Sequence, residues 1–293
     1  NMSRKILISL SAIGVVAAIV IGATTAYFSD TEISSGNTFT AGSIDLKVDN
    51  HCYYNGAECE LANDGKYHWN GNVNENECFC TWELTDLDGK LFFDFEDLKP
   101  GDHGEDTVSL HVTNDAWVCL TLTPTAAWEN GMTEPEKKID STWGQWGGEL
   151  DDYLEFVFWA DMCDNGDVKP GDNKYTPDCD VLLTPTPISV ASDETTGSIK
   201  LPIADSQSSI FTYLGEPVPL SATTTYYVGK AWCFGKLDMD ELKNNGIIKC
   251  DGSGDASNHY YNDAQTDQLI GDVEFYVVQA RNNSNFTCLP SGN

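Results

Sequence analysis

The chain has 293 residues, of which 41% are hydrophobic, and carries 46 acidic against 16 basic side chains for a net charge of −30. That composition excludes a disordered polymer, and the charge excludes nucleic-acid binding, because a polyanion repels phosphates and has no counterions to release. Ten cysteines, an even number, point to disulfides in an exported chain rather than to zinc, whose sites favour paired CxxC motifs absent here.

The first element is an export signal over 1–26. Arg4 and Lys5 precede an uncharged, mostly apolar run from Ile6 to Ala23, and Thr24-Thr25-Ala26 offers the small residues a signal peptidase reads. Cleavage between Ala26 and Tyr27 leaves a secreted or cell-surface chain with no stable membrane insertion. A retained anchor is the rival reading, since the run lies at the lower limit of a bilayer span. Residues 27–293 then read as one domain, because no linker or fixed-period repeat divides them.

Within that domain alternation dominates. Ile44, Leu46 and Val48 form the first run, followed by Val108, Leu110 and Val112, then Val118, Leu120 and Leu122. Leu154, Phe156 and Phe158 come next, then Tyr226, Val228 and Trp232, and finally Val273, Phe275 and Val277. Period-two patterning places one face of each strand in a core and the other toward water. Many such strands between turn residues predict an all-β, jelly-roll-like antiparallel β-sandwich. Three segments break the pattern: the polar stretch 50–80 with four cysteines, the Asp-rich stretch 161–182 with two, and 236–268 with a short helix from Asp238 to Asn244.

All ten cysteines are disulfide candidates: Cys52, Cys59, Cys78, Cys80, Cys119, Cys163, Cys179, Cys233, Cys250 and Cys288. Spacing does not fix their pairing. The simplest pattern is local, with Cys52 joined to Cys59 and Cys163 to Cys179. Asp161, Asp164, Asp167 and Asp172 cluster around Asn165-Gly166, and such oxygens suit calcium, although the spacing is not that of an EF-hand. A solvated acidic loop pinned by its cysteines is the equal alternative, and no other cofactor is implied.

Two stretches carry a family resemblance. One runs Ala26-Tyr27-Phe28-Ser29-Asp30-Thr31-Glu32 and continues Gly36-Asn37-Thr38-Phe39-Thr40-Ala41-Gly42-Ser43-Ile44-Asp45-Leu46. The other is Leu98-Lys99-Pro100-Gly101-Asp102, followed by Val108 to Asn114. Together they resemble the TasA and camelysin family of exported matrix proteins, as a large Cys-rich member. The resemblance covers roughly the first 115 residues and implies a jelly roll, trimming by a dedicated signal peptidase, and assembly into biofilm fibres. The partners it implies are copies of the chain or related matrix subunits. Tyr27 to Phe39 would serve as an exchanged strand anchored by Tyr27, Phe28, Ile33 and Phe39.

The camelysin branch carries a metallopeptidase label. The histidines His51, His68, His103, His111 and His259 form neither HExxH nor HxxxH. No nucleophile elbow or phosphate loop is present, so the expectation is a structural protein without catalysis. A carbohydrate-binding or adhesion module is the alternative, through Trp143 and Trp146 in a glycine-rich setting.

Overall fold

The computed structural model describes residues 29–33, 45–70, 77–93, 95, 97–189, 198–212, 214–257 and 259–289. The signal segment, its junction at Ala26 and Tyr27, and the anchors Phe28 and Phe39 lie outside the described residues.

The fold is all-β and antiparallel. One sheet holds four strands: β1 (Ser29–Ile33), β7 (Ala116–Trp128), β11 (Ile199–Ala204) and β15 (Gln268–Gln279), in the order β1-β15-β7-β11. The second has nine: β2 (Leu46–Tyr54), β3 (Ala57–Leu61), β4 (Tyr67–Trp69), β5 (Trp82–Thr85), β6 (His103–Val112), β8 (Leu154–Ala160), β9 (Val181–Leu182), β10 (Ile188–Ser189) and β12 (Tyr226–Phe234). Its main path runs β10-β8-β12-β6-β2-β3-β4. A ribbon of β13 (Lys236–Leu237) and β14 (Cys250–Asp251) lies beside it.

The inward residues are those the alternation marks. Leu46, Val48, Val108, Leu110, Val118, Leu120, Phe275 and Val277 are all buried in one cluster. Val273, Phe275 and Val277 sit directly across from Leu122, Leu120 and Val118. Val108, Phe158 and Val228 of the large sheet face Leu120 and Phe275 of the small one, and between them the Phe92 ring, from the segment after β5, lies 6.2 Å from that of Phe275. Non-directional burial of this kind is the main force holding the two layers together.

The centre of the large sheet departs from simple alternation. β8 and β12 are buried on both faces, and Val157, Trp159, Ala231 and Cys233 form a second cluster with Tyr175, Leu237 and Leu242. The covering elements are the Asp-rich segment and the helix Met239–Asn245. That helix starts where the Asp238 side chain accepts a hydrogen bond from the Glu241 N–H at 3.1 Å, and it ends at Gly246, which is left-handed with φ +67°. The Trp159 indole lies where a Cβ on Gly229 would stand, 2.0 Å away, so glycine alone lets these neighbouring strands carry the ring.

Segment 50–80 is more regular than its composition suggests. β2 continues to Tyr54, turns at Asn55-Gly56 with both φ positive, and returns as β3, with β4 beyond. The local Cys52–Cys59 pairing is corrected here. Cys52 joins Cys80 and Cys59 joins Cys78, two nested bridges along one hairpin. Cys52 and Cys59 stand on different strands of that hairpin, and Cys78-Phe79-Cys80 returns alongside both. Cys163 joins Cys179 as the local pattern has it, while Cys119–Cys288 and Cys233–Cys250 complete five bridges.

The turn Leu98–Asp102 opens β6. Gly101 takes φ +98°, and Asp102 accepts hydrogen bonds from the Lys99 N–H (2.7 Å), the Tyr54 hydroxyl (2.8 Å) and the Asn55 amide (2.8 Å). One carboxylate thus ties its own turn to the β2–β3 hairpin.

Candidate functional site

Ile33 ends β1, and its backbone pairs with Glu274 on β15; the register runs back to Ser29 opposite Val278. β1 is the outermost strand of the four-stranded sheet. Among the described residues no strand lies on its far side, which is the general condition for strand addition.

Among the described residues the four aspartates suggested for calcium do not form a group able to hold a metal. Asp161 is buried, and burial foremost raises its carboxyl to about 7. Asp164 is paired with Lys169, and Asp172 caps the Lys174 N–H at 3.1 Å, while Asp167 is exposed. The segment is instead closed by Asp180, which accepts from the N–H groups of Met162 (2.8 Å), Cys163 (2.9 Å) and Thr176 (2.7 Å) beside the Cys163–Cys179 bridge.

This segment also covers Glu105 on the outer face of β6. Asn173 accepts from the Thr107 hydroxyl at 2.8 Å and donates to Glu105 at 3.4 Å. Burial foremost, then the Asp106 charge, pushes Glu105 from 4.5 to about 7, with Lys174 opposing. The folded chain therefore holds a proton that the unfolded chain releases between those values, so stability falls as pH rises through that window. Glu105→Gln is expected to flatten this slope and to add up to about 3 kcal/mol at about pH 8. Urea midpoints of both proteins at about pH 5 and about pH 8 check it.

The histidines do not converge. His51 faces Glu58 at 3.5 Å, His68 faces Asp64 at 3.0 Å and His259 meets Asp263 at 2.7 Å. His103 contacts the Gly101 carbonyl at 3.3 Å, and His111 the Ser109 hydroxyl at 2.9 Å. Among the described residues no group able to hold a metal includes a histidine.

Sequence reasoning missed a different site. Carboxylate oxygens of Glu129, Glu149 and Asp267 lie within 4.8 Å of one another. Strand register brings the first and last together, since Trp128 pairs with Gln268. The loop after β7 then doubles back, its Gly144 bridging to Glu129, and delivers Glu149 just before the short helix Leu150–Tyr153. Glu136, in a 3-10 turn over Glu136–Lys138, is fully buried nearby, and its charge bears on Asp267. The signal in the sequence was an acid at the end of each of two long apolar strands. Trp143, the adhesion candidate, is 68% exposed on this same loop, whereas Trp146 is half-buried.

Each of the four carboxylates spends one oxygen on a local bond. The Gly131 N–H donates to Glu129 Oε1 (3.0 Å), Thr133 N–H to Glu136 Oε2 (2.6 Å), Thr142 hydroxyl to Glu149 Oε1 (3.0 Å) and Glu149 N–H to Asp267 Oδ2 (2.5 Å). The other oxygens, Glu129 Oε2, Glu136 Oε1, Glu149 Oε2 and Asp267 Oδ1, are buried without a hydrogen-bond partner. Burial raises Glu149 to about 8 and Asp267 to about 7, and it raises Glu129 and Glu136 as well.

Residues 1–58 match the family model described as camelysin metallo-endopeptidase. No curated protein matches the chain. The match corrects the expectation of a protein without catalysis, because the family it brings in is described as one of metallo-endopeptidases. The imidazoles do not fit a zinc centre of the two-histidine kind, since among the described residues no group able to hold a metal includes one. Among the described residues no helix is long and apolar enough to cross a membrane.

Proposed function

We propose that the chain is an exported subunit of an extracellular fibre or surface matrix, joined to its neighbours through the N-terminal strand. The observation that carries this reading is the position of β1. It is the first described segment after the signal, it lies at a sheet edge, and its main chain pairs with β15. A strand so placed can pair with its own β15 or with that of a second copy through the same hydrogen bonds. Head-to-tail exchange does not close on itself, so it propagates as a filament. While the signal is attached, the segment is tethered and unable to reach a neighbour.

Deleting Tyr27 to Ser35 is expected to leave a folded monomer whose β15 edge is open. Negative-stain imaging and sedimentation of the truncated and full forms test this. Filaments of normal length from the truncation would end the strand-exchange mechanism.

The family description favours a second reading, a metal-dependent endopeptidase. Chelator-sensitive cleavage of an unfolded protein substrate by the purified chain would support it. Absence of cleavage with calcium, zinc and manganese each supplied would remove it.

A further inference from the structure

We propose that Glu129, Glu149 and Asp267, with Glu136 beside them, form a binding site for one calcium ion. The site lies outside the matched residues 1–58 and does not depend on fibre assembly or on proteolysis.

Four carboxylates concentrate here, and the neighbouring charges that act on them come from further acids, Asp140 and Asp263. An acidic surface patch would turn its oxygens to water. These oxygens are turned inward: Glu129 is 6% exposed and Glu136 0%, each with an oxygen that meets no donor. A buried anionic oxygen without a partner is costly, so such groups are paired, protonated or bound to a metal. Pairing fails for want of a base, which leaves a proton or an ion.

The arrangement favours the ion. A proton shared between Glu129 and Asp267 would serve those two side chains only, whereas a cation takes a free oxygen from Glu129, Glu149 and Asp267 together. The local bonds hold each carboxylate by its other oxygen, as supporting contacts around a metal do. All the ligands are hard oxygens, with no nitrogen and no thiolate, which selects calcium over zinc. The distances leave room for the longer bonds and higher coordination of calcium, with water or the Thr142 hydroxyl completing the shell.

An ion here would clamp three separated parts of the chain: the end of β7, the loop 129–149 and the start of β15. It would also set the position of the exposed Trp143 on that loop.

The test is calorimetric titration of calcium chloride into the chelator-stripped full chain at neutral pH, with thermal melts alongside. One ion per chain is expected, and the midpoint should rise by about 5–10 °C at a hundredfold excess of calcium over its Kd. Glu149→Gln and Asp267→Asn keep the shape and each should weaken binding by about tenfold or more. Asp164→Asn, in the Asp-rich segment, should change nothing. If the carboxyls instead share protons, wild type is indifferent to calcium and the amide variants melt no lower than it does in chelator; that outcome overturns the proposal. Calcium binding that survives both amide variants overturns it too, as does zinc displacing calcium at equal concentration.

Discussion

Asp106→Ala is expected to destabilise the protein by about 3–5 kcal/mol, the cost of leaving a buried charge without its partner. Lys230 Nζ lies 3.0 Å from Asp106 in the sandwich interior, with both side chains at most 5% exposed. The two residues are directly opposite on β12 and β6. The Phe93 ring centroid is 3.8 Å from the ammonium and that of Phe92 5.3 Å, and the Asn50 amide donates to the other Asp106 oxygen at 3.1 Å. Burial foremost raises Asp106 and lowers Lys230, so each alone drifts toward its neutral form and together they stay matched. Lys230→Met should cost less than Asp106→Ala, because a protonated Asp106 still bonds Asn50. The double variant Asp106→Leu, Lys230→Met should recover most of the loss, since a buried pair replaced by apolar groups is often neutral. Urea unfolding of all three in a double-mutant cycle measures the coupling. A single-variant loss below about 1 kcal/mol would mean that water reaches the pair.

The second large effect concerns Cys119 and Cys288, separated by 169 residues. Chain-entropy reasoning gives a bridge of that span about 5 kcal/mol, against about 3 kcal/mol for the Cys163–Cys179 bridge with its span of 16. Cys119→Ser with Cys288→Ser should therefore lower the thermal midpoint more than Cys163→Ser with Cys179→Ser. Non-covalent ties soften the loss, because the C-terminal segment is also held by Cys288 N–H to Asp205 (3.0 Å), Ser206 N–H to the Phe286 carbonyl (2.9 Å) and Trp117 Nε1 to the Asn283 carbonyl (2.9 Å). Equal melting of the two double variants would show that those contacts, rather than the bridge, hold the terminus.

The strands that were legible in advance are those with one wet face. β2, with its burial strictly alternating from Leu46 to Cys52, is an example. β8 and β12 were found from one face only. Val157, Trp159 and Ala231 lie under the Asp-rich segment and a helix, and period-two patterning carries no sign of what covers a second face. The hairpin within 50–80 was hidden by polar composition, although Asn55-Gly56 marks its turn. Nested pairing of Cys52 with Cys80 and Cys59 with Cys78 follows from strand register, which cysteine spacing does not encode. The carboxylate site was illegible for the same reason: Glu129 and Asp267 meet only because β7 and β15 are neighbours. The Asp-rich segment invited a metal by local density, yet Asp164 is spent on Lys169 and Asp172 and Asp180 on backbone N–H groups, while Asp161 is buried with neither carboxyl oxygen hydrogen-bonded.

The placement of β15 between β1 and β7 sets the order in which the molecule can be built. Three strands of the small sheet leave the ribosome early, and the one that joins β1 to β7 leaves last. Until residues 268–279 arrive, the long apolar edge of β7 has no neighbour on that side, and the bridge from Cys119 has no Cys288 to reach. Completion of that layer therefore waits for residues 268–279, and it is slow because its contacts span long stretches of sequence.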